Sequence, residues 1–568
     1  MRRMLWLLPL LLAMLAAQHH EDELNEEELE MAGQVMEGGH EEVKPKDLTA
    51  AVFLLGGVTF VMSLFYLVNH PDMDIRDHTW KVINATVSIF VAVLLFQGIS
   101  GVTDRVSDIY FESADHQSTA KICFAYAIFL IFYGTLHAVL YSLAYSPKPV
   151  PSLPTKTSSF WGALRPGKSA ILASEDGTFD QILKRKIACW ATLWSHMAGF
   201  AHIRCSLDLQ QLPMFQGAMA ILPTAFNALV LVVIFKLSES FRSRFEAAEP
   251  KSFELLQESA EEAENDIAAI GISFSTVVVL RYVMTHQMAN VLGLELPVHN
   301  HSTAAKIGIG VAALVSALIS IFILITHTWV EKRSGYSTAS SVKEEGGVKE
   351  EGGELMPKEE ELHAPRRDYK TRWVFIASST FATAASWCGL YCSKWMLYGM
   401  EINADADTNP NSCISRVILA LLVSFGSFLM IYFLDKLADS DLTDNDADRA
   451  IEEVIHAIGV SVGFAWEQAF DAGVETIGEL TESLGTWYPV FARLGFAMMI
   501  SAVMVPAWRL YLIKKSMEKH VQCKQKMKLN AAGLRNNCEA VLMIDAKHCH
   551  MCGLEIIEEE KTVYKAWN

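Results

Sequence analysis

The sequence predicts an all-α fold: a polytopic helical membrane protein with about eleven transmembrane helices and a signal-like segment at its N-terminus. Three observations support this class. The chain has 568 residues, of which 51% are hydrophobic, apolar stretches of roughly 20 residues recur along it, and short charged connectors separate these stretches. A bilayer core requires about 20 helical residues per crossing, whereas strands and core helices of soluble proteins do not require that length repeatedly.

The N-terminal segment 1–17 has the pattern of a targeting sequence. It begins with two arginines, continues with an apolar run from Met4 to Leu15, and ends in small residues. This pattern is typical of a cleaved signal peptide, and the alternative is an anchor helix that is retained. The segment 18–48 that follows is acidic and has the composition of a disordered region.

Eleven further apolar segments predict the membrane spans. Their predicted bounds are Thr49–Val68, Lys81–Gly101, Ala120–Ala144, Ile187–Cys205, Met214–Leu237, Ile267–Thr285, Ala304–Val330, Trp373–Trp395, Ile414–Leu437, Val454–Ala472 and Tyr488–Ile513. The predicted domains are the membrane units 49–146, 187–331 and 371–514, the cytoplasmic linkers 147–186 and 332–370, and a cysteine-containing cytoplasmic tail 515–568. The second linker is acidic and of low complexity, because it contains the sequence Lys-Glu-Glu-Gly-Gly twice.

The distribution of Lys and Arg orients the spans. Basic residues are concentrated in the connectors after the third and seventh spans and at the start of the tail, whereas the alternate connectors are nearly free of them. By the positive-inside rule, both linkers and the tail are cytoplasmic. The N-terminus is outside or lumenal if the signal is cleaved, and the expected location is the plasma membrane or a membrane of the secretory pathway. Asn300 begins a sequon in a predicted outside loop and is a candidate glycosylation site.

Two segments of the chain share an internal repeat. Glu264–Ser275 and Glu452–Gly463 are identical at six of twelve positions without a gap, at an offset of 188 residues. In the second span, Val-Ile-Asn-Ala at 82–85 resembles Val-Ile-His-Ala at 454–457. We therefore expect degenerate four-helix repeats, three in number, with the signal-like segment as the first helix of the first repeat. The alternative explanation is the shared composition of membrane helices, and repeats occur in structural proteins as well as in transporters.

The tenth span is the most polar, and it carries the principal candidate site. Helical spacing places Glu467, Asp471 and Glu475 four residues apart on one face, and His456, eleven residues before Glu467, shares that face. A carboxylate inside a bilayer is costly unless it faces a cavity or a partner, so these residues are candidates for an ion pathway. The alternatives are a structural ion pair between Glu467 and Arg281 of the sixth span, and an interfacial position for the other two acids.

Other polar residues of the spans are weaker candidates for the interior. They are Gln97, His137, His196, His202, Arg204 and His286. A single histidine in a span is more often a hydrogen-bonded packing residue than part of a proton relay. The predicted outside loops are acidic, and an acidic surface would concentrate cations. The alternative explanation is that the positive-inside orientation removes Lys and Arg from these loops, which makes them acidic without any binding role.

The tail contains a weak candidate metal site. Cys538 precedes a cluster of Cys549, His550 and Cys552, and closely spaced Cys and His residues are zinc ligands. Only one tight pair is present, so reduced cytosolic cysteines are the alternative. Zinc on the tail is the one cofactor that the sequence suggests.

The string Gly463-Phe-Ala-Trp-Glu-Gln-Ala-Phe-Asp471, together with the acidic multi-pass layout, resembles uncharacterised membrane proteins of dinoflagellate-type algae. The resemblance covers one span and the general layout of the rest. It implies no activity and assigns no functional residues.

The sequence favours an integral membrane transport protein, either a cation channel or an ion-coupled transporter with an acidic intramembrane site on the tenth span. The net charge of −18 argues against a nucleic-acid partner, and the sequence has none of the nucleotide-binding or hydrolase motifs. Expected partners are the lipid bilayer, inorganic cations, and further copies of the chain or other membrane subunits. A structural or assembly subunit of a larger membrane complex is the first alternative, and a membrane-embedded enzyme or pigment-binding protein is the second.

Overall fold

Long helices dominate the computed structural model of the chain. It describes residues 45–70, 73–111, 114–145, 179–215, 217–245, 250–289, 301–333, 369–398, 413–438, 445–479, 481–513, 520–523, 541–543 and 561–563. The helices are α1 (Pro45–Val68), α2 (Met73–Tyr110), α3 (Ala114–Ala144), α4 (Phe179–Gln210), α5 (Ile221–Arg242), α6 (Pro250–Thr285), α7 (Thr303–Arg333), α8 (Tyr369–Tyr398), α9 (Cys413–Ala438), α10 (Asn445–Glu479) and α11 (Tyr488–Ala507). Short 3₁₀ turns occupy Pro213–Phe215, Gly217–Ala220, Ser243–Phe245 and Glu482–Leu484.

Each of the eleven predicted spans overlaps one of these helices. Within the described residues, eight helices are long and apolar enough to cross a membrane, namely α2, α3, α5, α6, α7, α8, α9 and α11. In α1 the side chains are described only for the apolar stretch Gly56–Val68, and α4 and α10 carry charged and polar residues along much of their length. The fold is therefore that of a helical, multi-pass membrane protein, and membrane crossing by α1, α4 and α10 stays a prediction.

Local sequence explains where several helices begin and end. Pro250 starts α6, a position at which its missing N–H costs nothing. His286 follows the end of α6 with a positive φ of 57°, and its N–H donates to the carbonyl of Tyr282 at 2.7 Å, which is a left-handed helix end. Pro506 lies inside α11, and the helix continues directly afterwards as a π turn at Trp508–Leu512, because proline removes one α-helical hydrogen bond.

Five helices form a closed ring, which we call the helix ring. Along it α2 packs against α4, α4 against α6, α6 against α8 and α8 against α10, and α10 packs back against α2. The remaining helices pack against members of the ring: α1, α3 and α11 against α2, α3 also against α4, α5 against α6, α7 against α8, and α9 against α10. The helix ring therefore holds the centre of the bundle.

The most exposed helices show rows of large apolar side chains. On α7, Ile307, Val311, Leu314, Leu318 and Phe322 recur every three or four residues, and each is more than half exposed. Such a continuous apolar stripe would be unfavourable in water but is suited to contact with lipid chains. The outward face of α7 is thus compatible with a position at the edge of a membrane-embedded bundle.

Ion pairs between helices fix the two ends of the helix ring. Near the C-terminal ends of α2 and α4, Asp104 pairs with Arg204. Glu264, in the N-terminal half of α6, pairs with Arg372 near the N-terminal end of α8. We call the first the outer end, because the basic linkers predict that it faces outside, and the second the inner end.

A small sheet lies in the tail, where only a cytoplasmic segment was predicted. The strands β1 (His520–Cys523), β2 (Val541–Met543) and β3 (Lys561–Val563) are antiparallel in the order β2-β1-β3. Strands of three or four residues are too short to show the alternating pattern by which strands are predicted.

Candidate functional site

Aromatic side chains fill the middle of the helix ring. Each of the five helices contributes one, and the chain of contacts runs from Phe96 to Phe200 (6.3 Å between ring centroids), Phe464 (5.4 Å), Trp387 (3.9 Å) and Phe274 (4.7 Å). We call these five residues the aromatic layer. All but Phe96 are less than 10% exposed, so the layer separates the outer half of the ring from the inner half.

Glu467 lies on α10 one turn to the outer side of the aromatic layer, since it follows Phe464 by three residues. Its side chain is buried (7% exposed). Its carboxylate Oε1 accepts a hydrogen bond of 3.1 Å from the side-chain amide of Gln97 on α2. Gln97 directly follows Phe96 of the aromatic layer. This hydrogen bond links α10 to α2, the two helices whose contact completes the ring. The partner of the carboxylate is therefore a neutral amide from the first membrane unit.

Charged residues surround Glu467 without displacing this amide. One turn further outward, Asp471 pairs with Arg416 of α9 at 3.5 Å, and Arg416 also donates to the carbonyl of Gln468 at 3.2 Å. Lys394 of α8 is almost fully buried, and its charge, with those of Arg416 and Asp471, acts on Glu467. The outer half of the bundle thus contains buried groups of both charges next to the aromatic layer.

Arg281 does not make the contact that the sequence suggested for it. Its side chain is fully buried on α6, and its guanidinium carbon lies 3.5 Å from the centroid of the Tyr391 ring on α8, which is a cation–π contact. Glu467 meets Gln97 instead, because the ring helices against which α10 mainly packs are α2 and α8. An ion pair between Glu467 and Arg281 was the structural alternative to a role for Glu467 in an ion pathway. In its place, the carboxylate of Glu467 accepts a hydrogen bond from an amide.

A second charged cluster lies at the outer end between α2 and α4. The Nε of Arg204 donates to both carboxylate oxygens of Asp208 at 2.9 and 3.0 Å, and its Nη2 donates to Asp104 at 2.9 Å. The Arg204 and Asp208 side chains are 10% and 4% exposed, whereas that of Asp104 is 34% exposed. Two carboxylates therefore share one guanidinium. The sequence pointed to Arg204 as an interior candidate, but the spacing of Asp208 four residues later, which signals this pair, was missed.

The most heavily compensated carboxylate is at the inner end. Glu264 is fully buried, and it accepts hydrogen bonds from Arg242 (2.7 Å), Arg372 (2.6 Å) and Tyr133 (2.7 Å). His137, one turn after Tyr133 on α3, lies 3.4 Å from the same carboxylate. This cluster joins α3, α5, α6 and α8. In the sequence, Glu264 was noted only as a position of the internal repeat. The signal that could have predicted this cluster is an acid just before a predicted span, together with arginines at the ends of other spans.

Most of the histidines proposed for the interior have packing roles. The Nε2 of His202 lies 3.4 Å from the carbonyl of Asn227, and its ring packs against Gly271, where an added Cβ would lie 2.1 Å from Nδ1. His196 is also buried. His456 is exposed, so the face that it shares with Glu467 by helical spacing does not place the two residues in one buried site.

Some of the predicted site residues lie outside the part of the chain that the structure describes. Glu475 belongs to α10, but its side chain is not described, and the candidate glycosylation site Asn300 is not described either. The same holds for the candidate zinc ligands Cys538, Cys549, His550 and Cys552. These assignments stay predictions.

Comparison of the chain with models of protein families, with curated proteins and with solved structures finds no match. The functional argument therefore rests on the geometry of the side chains themselves.

Proposed function

We propose that the protein transports small cations across a membrane and that Glu467 is the ion-binding carboxylate. The observation that carries this proposal is the setting of Glu467: it is buried in the outer half of the helix ring and is held by the neutral amide of Gln97. A charged residue at the centre of a membrane helix costs about 2.5–3.5 kcal/mol on insertion scales. A carboxylate that is retained at that cost, and that has no guanidinium bonded to it among the described residues, suits reversible binding of a cation or proton.

The contrast with Glu264 supports this assignment. Both carboxylates are buried, but Glu264 is surrounded by two guanidiniums, a phenol and an imidazole. An acid with that much compensation stabilises the packing of four helices and has no free capacity for a cation. Among the described residues, Glu467 has one hydrogen-bonding partner, Gln97, and the basic residues that act on it, Arg416 and Lys394, stand further away. The two acids therefore suit different roles, one structural and one in transport.

The aromatic layer favours a gated path over an open pore. It lies directly to the inner side of Glu467 and is composed of five contacting rings. A hydrophobic constriction excludes water and ions until it widens. We infer that an ion at Glu467 reaches the inner half only when α10 and α8 shift, which fits an ion-coupled transporter or a closed channel.

The ring also supports the proposed repeats. In the second repeat α4, α5, α6 and α7 correspond to α8, α9, α10 and α11 of the third. Each unit packs its first helix against its third, α4 against α6 and α8 against α10, and its second against its third, α5 against α6 and α9 against α10. The last helix of one unit packs against the first helix of the next, α3 against α4 and α7 against α8. This regularity favours three four-helix units, made of the eleven predicted spans and, as the first helix of the first unit, the signal-like segment.

Reconstituted flux tests the proposed function. The purified full-length protein is incorporated into liposomes, and influx of H⁺, Na⁺ and K⁺ is compared with protein-free liposomes and with the variant Glu467→Gln. We expect flux of at least one of these cations above the protein-free level, with strong loss in the variant at equal folded protein. Absence of cation flux with wild-type protein that is folded and correctly inserted would overturn the proposal and favour a structural subunit.

A further inference from the structure

Protonatable side chains lie on both sides of the aromatic layer. On α4, the ring of Phe200 contacts those of Phe96 and Phe464, so Phe200 faces the inside of the helix ring. His196 precedes Phe200 by four residues and therefore lies on the same face of α4, about 6 Å further toward the inner end. Its side chain is buried (5% exposed). The aromatic layer thus has Glu467 on its outer side and His196 on its inner side.

The imidazole of His196 has a ring nitrogen available for a proton. Its Nδ1 is enclosed and has no hydrogen-bonding partner among the described residues, whereas buried polar groups are nearly always hydrogen-bonded. The charge of His456 on α10 acts on His196, although α2 lies between α4 and α10 in the ring. Histidine is the side chain whose ordinary charge change falls nearest to neutral pH, and chains of acids and histidines relay protons in membrane pumps and transporters.

Two further protonatable groups lie at the ends of the predicted tenth span, Val454–Ala472. Asp471 is the second-last residue of that span, one turn outward from Glu467, and its side chain is 33% exposed. His456 is the third residue of the span and is also exposed. Asp471 and His456 therefore lie near the outer and the inner boundary of the span, and Glu467 and His196 lie at depths between them.

The surroundings of Glu467 favour a proton over a metal cation. Gln97 directs an N–H, rather than an oxygen, at the carboxylate. Among the charges that act most strongly on Glu467, those of Arg416 and Lys394 are positive and that of Asp471 is negative. A metal cation such as K⁺ needs several oxygen ligands in place of its hydration shell, whereas a proton needs one carboxylate oxygen. A side chain that is 7% exposed and meets an N–H donor suits the proton.

We propose that the transported cation is a proton, and that it passes from Asp471 to Glu467, across the aromatic layer to His196, and from there to His456. This inference rests on the proposed function and names its ion. At each step the group that holds the proton releases it to the next group and returns to its unprotonated form, so no other reactant is required. Along the helix axes, Glu467 and His196 are about 10 Å apart, which exceeds one hydrogen bond. Transfer between them therefore requires the movement of α8 and α10 that opens the aromatic layer.

Ion-specific flux in liposomes tests this path. The full-length protein is reconstituted, and influx of H⁺, Na⁺ and K⁺ is measured separately, each driven by its own gradient, for the wild type, His196→Gln and His456→Gln. His202→Gln is the matched control. His202 is on the same helix, is also buried and also has an Nδ1 without a partner among the described residues, but its ring faces Phe129 of α3 and the carbonyl of Asn227 on α5. Folded protein is quantified before reconstitution.

We expect the wild type to carry H⁺ above the protein-free level and to carry neither Na⁺ nor K⁺ above it. His196→Gln and His456→Gln should each lose about tenfold or more of the H⁺ flux per folded molecule, while His202→Gln retains it.

Each contrary result has a distinct meaning. Flux of Na⁺ or K⁺ comparable to that of H⁺ would overturn the proton assignment and leave the proposed transport intact. Wild-type H⁺ flux in His196→Gln, or an equal loss in His202→Gln, would overturn the inner half of the path. If His196→Gln does not fold, the exposed position decides, and wild-type H⁺ flux in His456→Gln overturns the path. Absence of flux for all three cations would overturn the proposed function itself.

Discussion

Removing the charge of Glu264 should destabilise the bundle far more than removing the charge of Glu467. In Glu264→Gln, two buried guanidiniums at 2.6 and 2.7 Å lose their carboxylate, and breaking a buried ion pair from one side costs about 3–5 kcal/mol. In Glu467→Gln, the bond to Gln97 is replaced by one between two amides. Exchanging one hydrogen bond while removing a buried charge changes stability by about 1 kcal/mol in either direction.

The assay is thermal unfolding of the purified variants in detergent, read as the fraction that still elutes as a folded species after heating. Glu258→Gln is the matched control, because Glu258 is on the same helix as Glu264 but is exposed. A second test adds Arg372→Gln to Glu264→Gln; removing the uncompensated positive charge should restore part of the loss. Equal stability of the Glu264→Gln and Glu258→Gln proteins would refute the reasoning, and a larger loss for Glu467→Gln would reverse it.

Three other perturbations test separate parts of the bundle. Gly463→Ala should cost about 1–3 kcal/mol by overpacking α10 against α2, whereas Gly426→Ala, with nothing within 4 Å, should leave thermal stability near wild type; equal losses would contradict the close approach. Phe464→Ala should cost about 3–5 kcal/mol through the cavity left in the aromatic layer, and wild-type thermal stability would exclude that packing. Protease added to the cytoplasmic side of sealed vesicles should cleave the linker 332–370, and cleavage from the lumenal side alone would invert the topology.

Hydropathy located the helices well but underestimated their length. The second span was predicted at Lys81–Gly101, whereas α2 extends from Met73 to Tyr110, and α6 begins at Pro250 rather than at Ile267. Hydropathy detects only the apolar part of a helix. The polar ends continue the same backbone hydrogen bonding beyond that part, because intrahelical bonds do not depend on side-chain polarity.

Contacts between helices could not be predicted from the sequence. The sequence singled out Glu467, since periodicity and burial cost are local properties of one helix, and its side chain is buried. The sequence offered Arg281 as one alternative partner, but the carboxylate is bonded to Gln97, because the order of helices around the ring decides which spans touch. The same limit hid the cluster around Glu264, whose partners come from three other helices.

The most direct test of the central claim is cation flux per folded molecule in Glu467→Gln liposomes, measured beside Glu258→Gln. Folded protein is quantified by elution before reconstitution, so that stability and transport are read independently. We expect Glu467→Gln to lose roughly tenfold or more of the wild-type flux, which corresponds to about 1.4 kcal/mol in the barrier, while Glu258→Gln retains it. Wild-type flux per folded molecule in Glu467→Gln would contradict the assignment of Glu467 as the ion site.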